Sequence, residues 1–166
     1  MIFLMRGTTC SGKDTFISKH FSPSAVFSSD QFREMLCGDI HEQKFNKFVF
    51  ETMHKIIDFR LANRVSYTVY NATNLKMKDA SPVIEIAKKH KTPVTIISIV
   101  PPELEELHRR NKQRFKETGF LIPDEVINKH YDRYFACLDS FLNEAKNNLL
   151  VKFIEIDQDY EVIREI

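Results

Sequence analysis

Residues 2 to 15 constrain the fold most, because a short apolar run there gives way to a loop with glycines at both ends. Gly7 and Gly12 enclose four residues and Lys13 follows directly. In loops with this G-x-x-x-x-G-K spacing, backbone N–H groups surround the phosphates of a nucleoside triphosphate and the lysine reaches the β- and γ-phosphates. A helix predicted at about residues 13–20 would point its positive end at the anion. The predicted nucleotide site comprises Gly7, Thr8, Thr9, Cys10, Ser11, Gly12, Lys13, Asp14 and Thr15.

Two side chains of this loop need separate comment. Ser or Thr commonly follows the lysine and its hydroxyl binds Mg²⁺, whereas this chain has Asp14 and then Thr15. A carboxylate is also a hard oxygen ligand for Mg²⁺ or Mn²⁺, so Asp14 is the predicted metal ligand; the alternative is contact through a bound water. Cys10 lies beside a helix N-terminus and Lys13, which both favour a thiolate, although a small side chain that fits the turn is the simpler interpretation.

Composition predicts one domain over residues 1–166, with 43% hydrophobic and 28% charged residues. No stretch approaches the roughly 18–20 apolar residues of a membrane span, and Met1 leads straight into the first apolar run, so we expect a cytoplasmic protein, in the host cytoplasm if it is viral. Cys10, Cys37 and Cys137 lack metal-ligand spacing and are expected to be free thiols. A net charge of +1 argues against a broad electrostatic grip on nucleic acid, but it allows a local basic site. Composition indicates no oligomeric state.

Strands and helices alternate along the chain. After the first strand and helix, strands are predicted at 25–28, 67–70, 94–100 and 151–156, and helices at 30–37, 42–62, 78–89, 103–115 and 124–147. Alternation favours parallel pairing, which predicts a three-layer α/β domain of the P-loop NTPase type with a central sheet of about five strands. In such sheets ligands bind beyond the carboxyl ends of the strands. The apolar residues of helix 42–62 are predicted to pack on the sheet: Phe45, Phe48, Val49, Met53, Ile56, Ile57 and Leu61.

Asp30 follows the second strand and is placed to accept a proton from an acceptor hydroxyl. The alternative is that Asp30 caps the next helix, which aspartate does well. Arg33 lies three residues further on and shares a helical face with Asp30, so it could hold an anionic group of the acceptor.

A second basic cluster lies at residues 109–114. Arg110 and Arg114 are four residues apart and share a helical face, and the mixed segment around Gly119 ends at Pro123. We interpret residues 110–123 as a mobile lid whose arginines close over the phosphates and stabilise the charge of the transition state. The alternative is a solvated basic helix end.

Four motifs occur in order along the chain. They are Gly7-Thr8-Thr9-Cys10-Ser11-Gly12-Lys13, Ser28-Ser29-Asp30-Gln31-Phe32-Arg33, Asn71-Ala72-Thr73-Asn74, and Arg110-Asn111-Lys112-Gln113-Arg114 followed by Pro123 and a helix. Together they resemble the kinase domain of phage and bacterial polynucleotide 5′-kinases, over the chain to about residue 135. The first motif is common to many nucleotide-using proteins, whereas the Ser-Asp-x-x-Arg and Arg-Asn-x-x-Arg elements together are more selective.

The resemblance implies a role for each motif. Lys13 would contact the triphosphate of ATP, Asp30 would activate the 5′-hydroxyl of an RNA or DNA end, Arg33 with Thr73 and Asn74 would bind the adjacent acceptor phosphate, and Arg110 and Arg114 would be lid arginines. Members often carry a phosphatase or ligase domain as well. This chain has no room for one, so we expect a stand-alone kinase or an excised domain, with a separate ligase or phosphatase as partner.

Asn71 is a second departure, because the family usually has Asp at this position. Asp14 adds a carboxylate beside the metal and Asn71 removes one from the neighbouring strand end. Our hypothesis is that the two changes compensate; the alternative is that Asn71 only caps a turn. Some phage nucleotide kinases are similar in having Asp after the loop lysine.

The predicted function is therefore an ATP-dependent polynucleotide 5′-hydroxyl kinase that uses Mg²⁺ or Mn²⁺. A kinase of a small metabolite or nucleotide is the first alternative, and a non-catalytic nucleotide-binding module of a repair complex is the second. Neither RNA nor DNA is favoured, because one short basic site reads neither the bases nor the 2′-hydroxyl. The six histidines show no metal-ligand spacing and are interpreted as surface or core residues.

Overall fold

The computed structural model describes residues 1–166 and shows one six-stranded sheet with helices on both faces. The strands are β1 (Ile2–Arg6), β2 (Val26–Ser28), β3 (Thr68–Asn71), β4 (Val94–Ile99), β5 (Val151–Ile156) and β6 (Val162–Glu165). Their order across the sheet is β2-β3-β1-β4-β5-β6, with β1 to β5 parallel and β6 antiparallel to β5. The predicted three-layer α/β fold of the P-loop type is confirmed, and β6 is an additional edge strand.

Seven α-helices connect or flank the strands. They are α1 (Lys13–His20), α2 (Ser29–Cys37), α3 (Asn46–Ala62), α4 (Met77–Lys89), α5 (Leu104–Thr118), α6 (Asp124–Ala136) and α7 (Leu138–Asn147), and a short 3₁₀ turn covers Pro23–Ala25. None of them is both long and apolar enough to cross a bilayer.

The single helix predicted at 124–147 is wrong, because the backbone leaves helical geometry at Cys137 (φ −103°, ψ 2°) and divides the segment into α6 and α7. The sequence concealed this break because Ile127, Tyr134 and Phe141 are all buried and recur every seven residues across it. Helix α5 runs to Thr118, further than predicted, and ends at Gly119, whose φ of 73° is left-handed and suits glycine.

The core lies on both faces of the sheet. One cluster joins β1 and β3 to α3, α4 and α7, and the smaller one packs α1 against the opposite face. Of the predicted α3 core residues, Val49, Met53, Ile57 and Leu61 are buried and Ile56 is partly buried. The prediction was wrong for Phe45 and Phe48, which are 46% and 57% exposed, because α3 begins only at Asn46 and turns Phe48 away from the sheet.

A buried polar network fixes α6 to the sheet below the loop. The guanidinium of Arg6, the last residue of β1, donates to Ser98 Oγ at 2.8 Å and to the Tyr134 carbonyl. It also lies over the rings of Tyr134 and Phe141, 4.1 and 4.6 Å from their centroids. The Tyr134 hydroxyl donates to Glu155 Oε1 at 2.9 Å. The strand that leads into the loop and the helix that faces the loop are therefore held together.

Candidate active site

The loop between β1 and α1 has the backbone shape that its glycines predict. Gly12 has a left-handed φ of 97°, and a Cβ added to Gly7 would lie 2.8 Å from Ser11 Oγ. Lys13 is buried, and its amine donates to the carbonyls of Gly7 and Thr8 at 3.0 and 2.7 Å. Burial lowers the pKa of Lys13, and the charges of Asp14 and Asp30 oppose this shift.

The donors of this loop fit a phosphate group. The backbone N–H groups of Gly12, Lys13, Asp14 and Thr15 make no hydrogen bond within the chain. The side-chain oxygens of Thr8 and Ser11 are buried and have no partner either. Unpaired buried donors are costly, and a polyanion at the N-terminus of α1 would satisfy them.

Asp14 and Asn71, the two positions that depart from the usual pattern, are in direct contact. Asn71 Nδ2 donates to Asp14 Oδ1 at 2.8 Å, and Asp14 Oδ2 makes no hydrogen bond. No group of three acidic, histidine or cysteine side chains could hold a metal alone. Mg²⁺ in phosphotransferases is commonly held by one or two carboxylates and the substrate phosphates, so Asp14 fits a metal that arrives with the nucleotide.

Asp30 does not cap its own helix. The cap of α2 is Ser28, whose Oγ accepts from the Asp30 backbone N–H at 3.3 Å. The Asp30 side chain is 55% exposed at the cavity, and its Oδ1 accepts from Arg33 NH1 at 2.5 Å. Its Oδ2 makes no hydrogen bond within the chain.

Arg33 is buried rather than solvated, with only 8% of its side chain exposed. Its Nε donates to Asn46 Oδ1 at 2.8 Å, and NH1 donates to Asp30 and more weakly to Ser29. The remaining nitrogen, NH2, makes no hydrogen bond within the chain, and the residue lines the cavity. The pair therefore presents one free carboxylate oxygen and one free guanidinium nitrogen.

The two predicted lid arginines occupy different places. Arg114 lines the cavity, whereas Arg110 lies outside it and donates to Glu106 and Gln158 at 2.8 Å and to the Cys10 carbonyl at 3.3 Å. Residues 110–118 belong to α5, so only 119–123 form a loop, and closure of a lid stays a prediction.

Cys10 is not favoured as a thiolate, because burial raises its pKa despite the opposing charges of Arg114 and Lys13.

Thr73 and Asn74 lie beside the loop, and their contacts are structural. The Thr73 carbonyl accepts from the Gly7 N–H at 3.0 Å. The buried Asn74 amide donates to the Met5 carbonyl at 2.7 Å, with a left-handed backbone φ of 45°. Both residues border the cavity, but the Asn74 donor is already used. Their predicted role in acceptor binding stays a prediction.

A cavity of about 770 Å³ joins these groups, within the range of about 300–1,000 Å³ common for ligand pockets. Its lining includes the loop face with Cys10, Lys13 and Asp14, the Asp30–Arg33 pair, the strand end at residues 70–74, and Arg114. The loop, the start of α2 and residues 71–74 follow the carboxyl ends of β1, β2 and β3, where parallel sheets are expected to bind ligands.

Three histidines without any recognisable spacing along the chain also line this cavity. His130 Nδ1 lies 3.0 Å from Thr9 Oγ1 in the loop, and His54 Nε2 lies 3.2 Å from the Tyr70 hydroxyl. The His41 ring stacks on Phe120, with 3.4 Å between centroids and 13° between planes. They come from three separate segments, so no local spacing could have revealed them.

The C-terminal segment braces the outer side of the loop. Gln158 Nε2 donates to the Val100 carbonyl at 2.5 Å and to the Ser11 carbonyl at 3.3 Å. The Tyr160 hydroxyl lies 3.5 Å from the Gly12 carbonyl, and its ring packs edge-on against Phe16. The sequence carried no motif for this brace, because it joins positions about 150 residues apart.

Comparison with known proteins finds a match to a family described as AAA domain over residues 2–136. No curated protein sequence matches the chain. Among solved structures, a chain of the "Pnkp1/Rnl/Hen1 RNA repair complex" has a TM-score of 0.72 and 22% identity, covering 84% of this chain and 45% of that one. The AvrRxo1-ORF1:-ORF2 structure with ATP has a TM-score of 0.72 and 15% identity, with coverage of 98% and 56%.

A gluconokinase from Sinorhizobium meliloti 1021 is also similar, with a TM-score of 0.53, 12% identity, and coverage of 92% of this chain and 81% of that one. At these identities the likeness shows a kinase-like P-loop fold and nothing finer. The chain spans about half the length of the first two proteins, 45% and 56%.

Proposed function

We propose that this protein is an ATP-dependent polynucleotide 5′-hydroxyl kinase. The chain belongs to the AAA domain family and has a kinase-like P-loop fold. It would transfer the γ-phosphate of ATP to the 5′-hydroxyl end of RNA or DNA during the repair of broken strands. The observation that carries the proposal is the Asp30–Arg33 pair, which opens into the same cavity as the phosphate-binding loop.

The pair supplies what an acceptor nucleotide needs. A hydroxyl that attacks a phosphate must lose its proton. Asp30 Oδ2 makes no hydrogen bond within the chain and is therefore free to accept that proton. The phosphate next to the acceptor sugar needs a positive group, and Arg33 NH2 is free to donate to it. Arg33 already holds Asp30 through NH1, so the base and the anion site are fixed relative to each other.

The loop supplies the electrophilic side. Its unpaired N–H groups and Lys13 would hold the β- and γ-phosphates, and Arg114 would add positive charge from α5. A Mg²⁺ or Mn²⁺ ion bound near Asp14 would neutralise charge that develops on the transferring group. Phosphoryl transfer depends mainly on positioning and charge, which these groups would supply.

The comparisons support the proposal at the level of the fold. One similar structure belongs to an RNA repair complex, and another was determined with ATP. A separate ligase or phosphatase would then complete the repair of the strand. This partner is part of the proposal.

Substitution of Asp30 tests the role of the base. We expect Asp30→Asn to lower the turnover number on a 5′-hydroxyl oligonucleotide by about 10²–10⁴-fold, because the amide cannot accept the proton. ATP affinity should remain within a few-fold. The matched control is Glu34→Gln, an exposed carboxylate on the same helix, which should behave like the parent protein. Full turnover in Asp30→Asn would contradict the assignment.

A kinase of a small metabolite or nucleotide is the second candidate, and the likeness to a gluconokinase favours it. The assay that separates the two compares γ-phosphate transfer to matched 5′-hydroxyl RNA and DNA oligomers, to free nucleosides and nucleotides, and to gluconate, with Mg²⁺ and with Mn²⁺. Faster transfer to a small acceptor than to either oligomer would replace the proposal. ATP binding without transfer to any acceptor would indicate a non-catalytic nucleotide-binding module.

A further inference from the structure

His130 projects from α6 into the cavity beside the phosphate-binding loop. Its Nδ1 lies 3.0 Å from Thr9 Oγ1, and its Nε2 makes no hydrogen bond within the chain. The ring lines the same cavity as Lys13 and Arg114. The histidine therefore has one nitrogen engaged with the loop and one nitrogen without a partner, in the cavity that the loop also lines.

The surroundings of His130 hold it neutral when no anion is bound. Burial, together with the smaller effects of the positive charges of Lys13, Arg133 and Lys129, lowers its pKa from 6.5 to about 4. The other charged groups that line the cavity are Arg33, Lys78 and Arg114, whose positive charges act the same way, and the carboxylates of Asp14, Asp30 and Asp79, which act against it; His41 and His54 also line it. Cys10 also lines the cavity and is neutral, because burial raises its thiol pKa.

We propose that His130 is a ligand of the terminal phosphate of the bound nucleoside triphosphate and that its protonated fraction increases, with the protons taken from solvent, as the nucleotide binds. The inference rests on the proposed function only in so far as a triphosphate occupies the loop. In the resulting imidazolium both ring nitrogens donate, Nδ1–H to Thr9 Oγ1 and Nε2–H to a phosphate oxygen. No covalent bond other than the new N–H bond is formed or broken.

The proton uptake follows from the change in charge. A triphosphate places several negative charges beside a group surrounded mainly by positive ones, and a nearby opposite charge raises a histidine pKa by about 1–3 units. With the pKa raised from about 4 by roughly 2 units or more, half or more of His130 would be protonated at pH 6. Triphosphate affinity should consequently increase as the pH falls from 8 to 6.

The measurement is calorimetric titration of the protein with Mg²⁺–ATP at pH 6, in two buffers whose ionisation enthalpies differ. The dependence of the observed heat on the buffer gives the number of protons bound. We expect the number of protons bound per nucleotide to be larger in the parent protein than in the His130→Asn variant, by roughly half a proton or more. Asparagine keeps a polar atom near the position of Nδ1, within reach of Thr9, but does not ionise. ADP, which lacks the terminal phosphate, should show a smaller difference between the two proteins.

A second variant and a spectroscopic signal guard against a purely structural effect. His130→Gln should lack the same proton uptake that His130→Asn lacks. Both variants should unfold near the unfolding temperature of the parent protein. The ¹H–¹³C signal of the His130 ring should shift to its imidazolium position when a non-hydrolysable ATP analogue is added.

Equal proton uptake by the parent protein and both variants would overturn the inference while leaving the kinase proposal standing. Proton uptake with no transfer to any acceptor would overturn the kinase proposal and support the inference. Failure of the parent protein to bind ATP would overturn both.

Discussion

Asn71 and Asp14 form a single polar unit, since the amide of one donates to the carboxylate of the other at 2.8 Å. Each departs from the usual residue of a phosphate-binding kinase, and their contact gives a physical basis for compensation. The unit carries one negative charge. Adding a carboxylate at position 71 would give it two, and removing the one at position 14 would leave none.

This charge argument predicts the outcome of a double-mutant cycle. We expect Asn71→Asp alone to lower kinase turnover about tenfold or more, because it loses the amide donor and places two carboxylates in contact. Asp14→Ser alone should lower the apparent affinity for Mg²⁺. The double variant, which restores one carboxylate, should exceed the worse single variant. The measurement is the turnover number of each variant across a range of Mg²⁺ concentrations. A double variant whose turnover does not exceed that of the worse single variant would contradict compensation.

The junction between α5 and α6 depends on one buried side chain. Asn111 is fully buried in α5, its Nδ2 donates to the Ile122 carbonyl at 2.8 Å, and its Oδ1 accepts from the Ile122 N–H at 3.2 Å. Both backbone groups of Ile122 are therefore satisfied by one amide, which fixes the loop at residues 119–123 against the helix.

Loss of that amide should release the loop. We expect Asn111→Ala to cost about 1–3 kcal/mol of local stability, or roughly 5- to 150-fold faster hydrogen exchange at residues 119–123. Gln113→Ala is the matched control, because Gln113 is exposed on the same helix and contacts only Glu117. Equal exchange in the two variants would show that the amide does not hold the loop.

The elements that sequence patterns located best are those whose signals are local. The first strand, the loop and α1 follow from glycine spacing and an adjacent apolar run, and α1 covers Lys13–His20 as predicted. Strand β6 was missed because its side chains are all exposed at the sheet edge and give no core pattern. The cavity histidines and the brace at Gln158 were missed for another reason: each depends on a contact between distant segments.

The network around Arg6 connects α6 and α7 to one face of the sheet, so its loss should lower global stability. We expect Tyr134→Phe to reduce the free energy of unfolding by about 1–3 kcal/mol, because Glu155 and Ser98 lose a buried hydroxyl partner. Tyr131→Phe, on the same helix with no hydrogen bond from its hydroxyl, should change it by less than about 0.5 kcal/mol. Urea unfolding monitored by circular dichroism measures the free energy of unfolding of both variants. Equal losses in the two variants would contradict a stabilising network.

The same network limits how the molecule can move. Because Arg6 joins the base of the phosphate-binding loop to Tyr134, one helical turn beyond His130, α6 is held to the strand that leads into the loop. Closure of the predicted lid would then move α5 with Arg114 and the loop at residues 119–123, which Asn111 holds to that helix, while His130 stays in place. The site would keep a stationary phosphate contact on one wall in both the open and the closed state.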